Sequence, residues 1–248
     1  RHFRCQNAVG WELTPRTVSN GRLLENADVA RAALTACRPA LVWRRLIADT
    51  ETPVSAAAKL IKPGRGDFLL ESVHGGEVRG RYSLLGLAPD LVFRATGEGC
   101  EINRQWADRP DAFTPLKADS LTALRELVAE CQIDDIPAAL PKALACLVGY
   151  FGYETIGLVE TLPRAPQSPL ELPDMVFVRP SLILVFDRLS DDLFCIAPLW
   201  PGDTQCELAL AAAGERIDHA QRRLSQPLPA HAPFSDHADP QPQPVVAA

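Results

Sequence analysis

Two different spacings of hydrophobic positions run along this chain, and each predicts its own type of element. Apolar residues three or four positions apart, typical of an amphipathic helix, occur over residues 23–38, 54–62, 120–131 and 204–224. Short apolar or alternating runs between turn residues predict strands at 41–43, 67–72, 81–86, 90–95, 144–150, 174–178, 181–187 and 193–196. Because helices and strands do not alternate regularly, the order favours an α+β fold, with antiparallel sheets and flanking helices, over a doubly wound one.

Local residues define the ends and faces of several predicted helices. Thr52 is expected to cap the second helix, with Pro53 at its first position, where a proline loses no helical hydrogen bond. In the third helix, Asp119 or Ser120 is the expected cap, and the apolar stripe comprises Leu121, Leu124, Leu127 and Val128. Pro39 marks the end of the first helix, whose apolar face comprises Leu24, Val29, Ala32, Ala33 and Ala36.

Turn residues connect the predicted strands into antiparallel pairs. Gly75 and Gly76 are expected to join the strands at 67–72 and 81–86 in a hairpin, and Gly97 and Gly99 mark the next turn. The strand at 144–150 is expected to be buried. Residues 174–178 and 181–187 are expected to form two separate strands, against which 193–196 returns.

Composition and charge exclude several classes of protein. Hydrophobic residues make up 47% and charged residues 23% of the chain, as in a globular domain with a core. The net charge is −6 and the pI about 5.4, without a basic patch in the sequence, so we expect no nucleic-acid partner. No apolar run approaches the roughly 18–20 residues that a membrane helix needs, and residues 1–20 lack a secretory signal pattern. We therefore expect a cytoplasmic protein with no membrane contact.

Cysteine spacing and the terminal segments indicate how the chain is organised. The seven cysteines form no C-x-x-C pair and have no zinc-type spacing, so we expect free thiols in a reducing compartment. Residues 1–20 have no apolar period and are expected to be a disordered leader. A Pro-rich linker or tail is expected over 226–248, which leaves 21–225 as the folded domain.

Candidate chemistry in the sequence is sparse. Phosphate-loop and nucleophile-elbow motifs are absent, and His74 falls at a predicted hairpin turn, as expected of a solvated histidine. Glu71 lies in an apolar strand, where it either faces solvent or forms the polar wall of a pocket. With Ser72 beside it, this carboxylate would suit the ammonium group of an amino acid. Arg81 and Tyr82 lie across the hairpin, where the simplest interpretation is pairing with Glu71 or Glu77.

Several short motifs occur in one consistent order and spacing over about residues 22–225. They occupy positions 52–56, 68–73, 75–77, 80–83, 148–154, 172–174 and 185–187. Together they resemble the amino-terminal half of anthranilate synthase component I. Several motifs in register make this resemblance more specific than any one of them alone. The resemblance implies that the chain forms an incomplete half of the larger two-sheet fold of chorismate-using enzymes.

The resemblance also implies an activity for the complete protein. That family converts chorismate and ammonia into anthranilate and pyruvate, with Mg²⁺, in tryptophan biosynthesis. Its ammonia normally comes from a glutamine amidotransferase, component II. The family's chorismate and Mg²⁺ ligands lie in the carboxy-terminal half, so we expect no catalytic or metal-binding residue in this chain and no activity from it alone.

Tryptophan inhibits many members of the family, and the resemblance implies a tryptophan site here. The residues that match are Pro53, Glu71 and Ser72; Tyr82 or Arg81 falls near a position where some members have lysine. By this interpretation tryptophan bridges the two halves of the protein and favours a closed, inactive arrangement.

Other interpretations stay open at this point. The chain could be the same half of aminodeoxychorismate synthase component I, a stand-alone amino-acid-binding module, or a gene product that never folds. Ala145 and Cys146 depart from the family, many members of which have two glycines there. The run Leu69-Leu70-Glu71-Ser72 favours anthranilate synthase over aminodeoxychorismate synthase. The product formed by a reconstituted enzyme would separate these two families.

Overall fold

An antiparallel sheet of eight strands forms the framework of the chain. The computed structural model describes residues 24–71, 80–134, 136–141, 144, 146–160, 172–202 and 205–229. Its strands are β1 (Ala40–Ile47), β2 (Phe68–Leu70), β3 (Tyr82–Thr96), β4 (Gly99–Asn103), β5 (Thr114–Pro115), β6 (Val148–Phe151), β7 (Met175–Asp187) and β8 (Asp192–Leu199). The order across the sheet is β1-β8-β7-β3-β4-β5, with β2 paired to β3 and β6 paired to β7.

In the described part of the chain, four α-helices accompany the sheet: α1 (Ala27–Thr35), α2 (Pro53–Leu60), α3 (Ser120–Glu130) and α4 (Cys206–Leu224). A 3₁₀ helix covers Tyr153–Leu158. The predicted α+β class with an antiparallel sheet is confirmed. Within the described ranges, no helix combines the length and the apolar character that crossing a membrane requires.

Alternate residues of the central strands belong to cores on opposite sides of the sheet. Val42, Leu85 and Leu184 pack with buried residues of α1, α2 and α4. Their neighbours in sequence form a second cluster with the segment after α3; its buried members are Leu41, Trp43, Leu84, Leu140, Ile183, Val185, Phe194 and Ile196. Because both faces are covered, every residue of β8 is buried.

The two longest strands were each predicted as two short ones. The predicted strands at 81–86 and 90–95 are both part of β3, and those at 174–178 and 181–187 are both part of β7. Pro89 and Pro180 lie at the two gaps between the predicted strands, and a proline cannot donate to a ladder. In the structure these prolines lie opposite each other, and the register resumes after an irregularity between Pro89 and Leu91.

Several burial predictions were wrong. The strand predicted as buried at 144–150 is β6, where Gly149, Tyr150 and Phe151 are exposed. Val29 and Val128, both placed on apolar faces, are 63% and 51% exposed. Ala33, Leu124 and Leu127 are buried as predicted. Ala30, Leu34 and Ala123, which were not predicted, are also buried.

Other predictions fall on local features that the structure describes. Thr52 caps α2 in a reciprocal capping box with Ser55, and Asp119 caps α3 by accepting from the Thr122 N–H. The described cysteines (Cys37, Cys100, Cys131, Cys146, Cys195 and Cys206) form no disulfide with one another. The leader at 1–20, the Gly75–Gly76 turn, Ser72 and most of the tail lie outside the described residues.

Candidate functional site

Charged side chains cluster at the corner where β3 begins and β7 ends. Arg81 donates from Nε and Nη2 to the two carboxylate oxygens of Asp187, at 2.7 and 2.6 Å. Tyr82 and Asp187 face each other in the strand register, which brings Arg81 against this carboxylate. The hydrogen bond from Arg81 holds the pKa of Asp187 below its ordinary value, against the opposing effect of desolvation.

Glu71, the first described residue after β2, reaches the same corner. Arg188 Nη2 donates to Glu71 Oε1 at 3.0 Å, and the backbone N–H of Arg188 donates to the carbonyl of Arg81 at 3.0 Å. The expected pairing of Arg81 with Glu71 is therefore wrong: Arg81 binds Asp187, and Arg188 binds Glu71. The reason is that β7 lies beside β3 and supplies both partners across the ladder.

Tyr82 completes this corner, which we name the Glu71 corner (Glu71, Arg81, Tyr82, Asp187 and Arg188). The guanidinium carbon of Arg81 lies 4.9 Å from the centre of the Tyr82 ring, a cation–π contact. Two carboxylates and two guanidinium groups thus lie within one small area, each carboxylate paired with one guanidinium. This set has the charges that an ammonium group and a carboxylate group of one ligand require.

Pro53 occupies a different position in the fold. It is the first residue of α2, whose N-terminus is fixed by the Thr52–Ser55 capping box and by a hydrogen bond from Ser55 Oγ to Glu51 at 2.8 Å. α2 packs on the helix-covered side of the sheet through Ala56 and Leu60, whereas Tyr82 packs with the cluster on the opposite side. The structure therefore links Glu71 to Tyr82 through Arg188 and Arg81, and places Pro53 on a separate element.

A cleft between α2 and α4 is a concave feature that the sequence did not reveal. Its volume is about 940 Å³, and basic side chains from residues 59–65 and 216–223 line it. These two segments are separated by most of the chain, so a search for a local basic run could not find them.

Metal binding has no support among the residues described. They include no group of three or more His, Cys, Asp and Glu side chains placed to hold a metal ion. The residues present therefore do not fit the Mg²⁺ that the resemblance implies for the complete protein.

Comparison with known proteins identifies the relatives of this chain. Anthranilate synthase component 1 from Cereibacter sphaeroides is 43% identical over 199 residues, which are 80% of this chain and 40% of that protein. The chain is homologous to part of anthranilate synthase component 1. Proteins of the same name from Acinetobacter calcoaceticus and Thermus thermophilus are 33% and 34% identical and match 75% of this chain each.

These anthranilate synthase relatives are much longer than the matched region. The chain spans 40% or less of the length of each of the three. A crystal structure of anthranilate synthase component I from Streptococcus pneumoniae aligns with 75% of this chain and 38% of that one, at a TM-score of 0.47 and 20% identity. No family model matches the chain.

Proposed function

We propose that this chain is the amino-terminal, regulatory and structural part of an anthranilate synthase component I. The complete protein would convert chorismate and ammonia into anthranilate and pyruvate, in tryptophan biosynthesis. The observation that carries this proposal is the identity of 43% over 199 residues to a protein of that name. The motifs at 68–73, 80–83 and 148–154, which resemble the same family, support it as well.

The chain by itself is proposed to be inactive. The relatives contain more than half of their length outside the matched region, and the described residues here offer no metal cluster. Chorismate and Mg²⁺ would be bound by that other part, and a glutamine amidotransferase would supply ammonia. Mg²⁺ would supply positive charge for the carboxylates of chorismate when bound. The role of this chain is to complete the fold and to transmit inhibition.

An exposed aromatic surface supports the need for a further part. Phe151 at the end of β6 is 58% exposed, and Tyr153 and Val159 after it are 85% and 75% exposed. Contiguous exposed apolar groups of this kind are typical of surfaces that another segment covers. The remaining polypeptide of an anthranilate synthase would cover it.

The Glu71 corner supports a tryptophan site for feedback inhibition. Glu71 would bind the ammonium group of tryptophan, with Ser72 and Tyr82 as further contacts. Arg81 or Arg188 would bind its carboxylate. Arg81 and Arg188 each already bind a carboxylate. The carboxylate of tryptophan would therefore either bind Arg188 together with Glu71 or take the place of Glu71 on Arg188. Pro53 would contact the ligand only if the two parts of the protein close around it.

A chimeric enzyme tests the proposed function. The matched part of the Cereibacter sphaeroides protein is replaced by this chain, and chorismate, ammonium salt and Mg²⁺ are supplied. Anthranilate is expected as the product. A folded chimera that forms no product from chorismate would contradict the proposal.

A further inference from the structure

The cleft between α2 and α4 concentrates positive charge on an acidic protein. The chain has a net charge of −6, yet Lys62, Arg65, Arg216, His219, Arg222 and Arg223 all line this cleft. Its floor is apolar and comes from β3 and β7, at Leu87, Ala88 and Leu182. A cleft lined by charges of one sign focuses their field and attracts ligands of the opposite sign, so this lining favours an anionic ligand.

Some of the cations lining the cleft already have carboxylate partners. Arg65 binds the buried carboxylate of Asp67, with Nε 2.9 Å from Oδ1. Asp67 in turn accepts from the backbone N–H groups of Lys62 and Ala88, at 2.9 and 2.7 Å. Lys59 binds Glu51. These pairs fix the wall of the cleft and leave its shape independent of a ligand.

Other cations of the cleft have no carboxylate partner in the described part of the chain. Lys62, Arg216 and Arg222 form no ion pair there, and Arg223 donates to the backbone carbonyl of Lys59 at 2.9 Å. Glu215 is the acidic residue in the lining. The cleft therefore has a surplus of positive charge after the internal pairs are formed.

Arg216 gives a second, independent indication of a ligand. Its Nε is buried and has no hydrogen-bond partner among the described residues. Desolvation by burial lowers the pKa of this guanidinium, with Asp90 as the opposing influence. A buried donor without an acceptor is unfavourable, so an oxygen that accepts from Arg216 would stabilise the site.

The pKa of His219 shows that several of these cations act on one point. Its pKa lies below the ordinary value, first because of desolvation and then because Arg222, Lys62, Arg223 and Arg65 repel its proton. Residues of α4 and of the loop after α2 therefore act on the same point, inside the cleft.

We propose that this cleft binds a phosphate-bearing small molecule. A guanidinium group can donate two parallel hydrogen bonds to a phosphate. A phosphate group offers more acceptor oxygens than a carboxylate does, so it suits the three arginines Arg216, Arg222 and Arg223 better. The volume of about 940 Å³ is near the upper end of the roughly 300–1,000 Å³ typical of small-molecule sites, so it has room for more than an isolated ion. The site shares no residue with the Glu71 corner and does not depend on the proposed activity.

Binding of pyrophosphate to the full 248-residue chain tests this proposal. Titration calorimetry at fixed ionic strength is expected to show saturable binding. Arg222→Gln, an exposed change that leaves the core intact, should weaken binding about tenfold, because a hydrogen bond to a charged group contributes about 1.5–3 kcal/mol. Arg216→Gln should have a similar or larger effect. The matched control is Arg125→Gln on the exposed surface of α3, which removes the same charge and should leave the affinity within about twofold.

Three outcomes would overturn the proposal. They are no saturable binding to a folded chain, equal weakening by Arg125→Gln and Arg222→Gln, and equally tight binding of succinate. The last would show a carboxylate site. A separate readout is the imidazole proton resonance of His219, assigned with His219→Gln. Bound pyrophosphate should raise the pKa of His219, since a nearby anion favours the imidazolium form; an unchanged titration curve at saturating pyrophosphate would place the ligand elsewhere.

Discussion

Arg81 and Asp187 join the start of β3 to the end of β7 through two parallel hydrogen bonds of 2.7 and 2.6 Å. The next residue after Asp187 is Arg188, whose guanidinium binds Glu71. The position of Glu71 is therefore tied to the same strand pair that holds Arg81. A substitution of Asp187 should therefore shift Glu71, the residue proposed to bind the ligand, although Asp187 is not its hydrogen-bond partner.

The Asp187 carboxylate should make stability depend on pH in the acid range. Its pKa is lowered in the folded state, first by the hydrogen bond from Arg81. A carboxylate whose pKa is lower in the folded state than in the unfolded state stabilises the fold. This stabilisation is complete above the pKa of the unfolded state, about 4, and is lost as the pH falls through the pKa of the folded state. Asp187→Asn should thus melt below wild type at about pH 7, and the difference should shrink at about pH 3.

Thermal melts followed by circular dichroism measure this difference. Asp111→Asn is the matched control, because Asp111 is exposed and forms no ion pair with any described residue. It should change the melting temperature little at either pH. An Asp187→Asn difference of the same size at both pH values would exclude the Arg81 pair as its origin.

Glu71 should govern tryptophan inhibition in a complete enzyme. Glu71→Ala removes the proposed partner of the ligand ammonium, and Ser72→Ala removes its neighbour. Each should raise the tryptophan concentration for half inhibition by about tenfold or more, as expected for loss of a hydrogen bond to a charged group. The measurement is the rate of anthranilate formation against tryptophan concentration, expressed relative to each variant's own uninhibited rate.

A control separates loss of the site from loss of the fold. Glu98→Ala removes an exposed carboxylate from the β3–β4 turn and should leave inhibition as in wild type. If Glu71→Ala abolishes turnover, or if inhibition is unchanged, Glu71 does not bind tryptophan.

Gly149 should be required for β6 to join the sheet. A Cβ at this position would lie 2.0 Å from the carbonyl oxygen of Val176 and 2.7 Å from the Cα of Phe177. Both are backbone atoms of β7, so they cannot move aside. Gly149→Ala should lower the free energy of unfolding by about 1–3 kcal/mol, measured by urea denaturation. Gly157→Ala, where nothing lies within 4 Å of the new Cβ, should cost less than about 0.5 kcal/mol.

Arg44 and Asp218 should anchor α4 to β1. Arg44 Nη1 lies 2.6 Å from Asp218 Oδ1, and both side chains are almost fully buried. Removing one partner, in Asp218→Leu, leaves a buried charge and should lower the free energy of unfolding by about 3–5 kcal/mol. The double variant Arg44→Met with Asp218→Leu should be more stable than Asp218→Leu alone. Arg31→Gln breaks an exposed pair between α1 and α4 and should cost no more than about 1 kcal/mol.

Local signals in the sequence predicted the ends of the helices well. The Thr52–Pro53 start of α2 and the Asp119 cap of α3 depend on neighbours three residues away, so no tertiary information was needed. The lengths of β3 and β7 were underestimated. Both strands continue through a proline, and that is possible because Pro89 and Pro180 lie opposite each other in the paired strands, a register that the sequence does not show.

The candidate site was less predictable for the same reason. Glu71 was chosen from the sequence, but its partner Arg188 is 117 residues away and depends on the β3–β7 register. The basic cleft forms only when α4 packs beside α2. Exposure of β6 could not be read from its apolar residues, because an apolar run has the same pattern whether its own chain or another segment covers it.

Reconstitution from two parts tests the central claim most directly. This chain is co-expressed with a separate polypeptide comprising the unmatched part of the Cereibacter sphaeroides protein, and anthranilate fluorescence is followed after chorismate, ammonium salt and Mg²⁺ are added. Neither part alone should form anthranilate, and the pair should. Anthranilate from this chain alone would contradict the account, and so would a stable complex of the two parts that produces none.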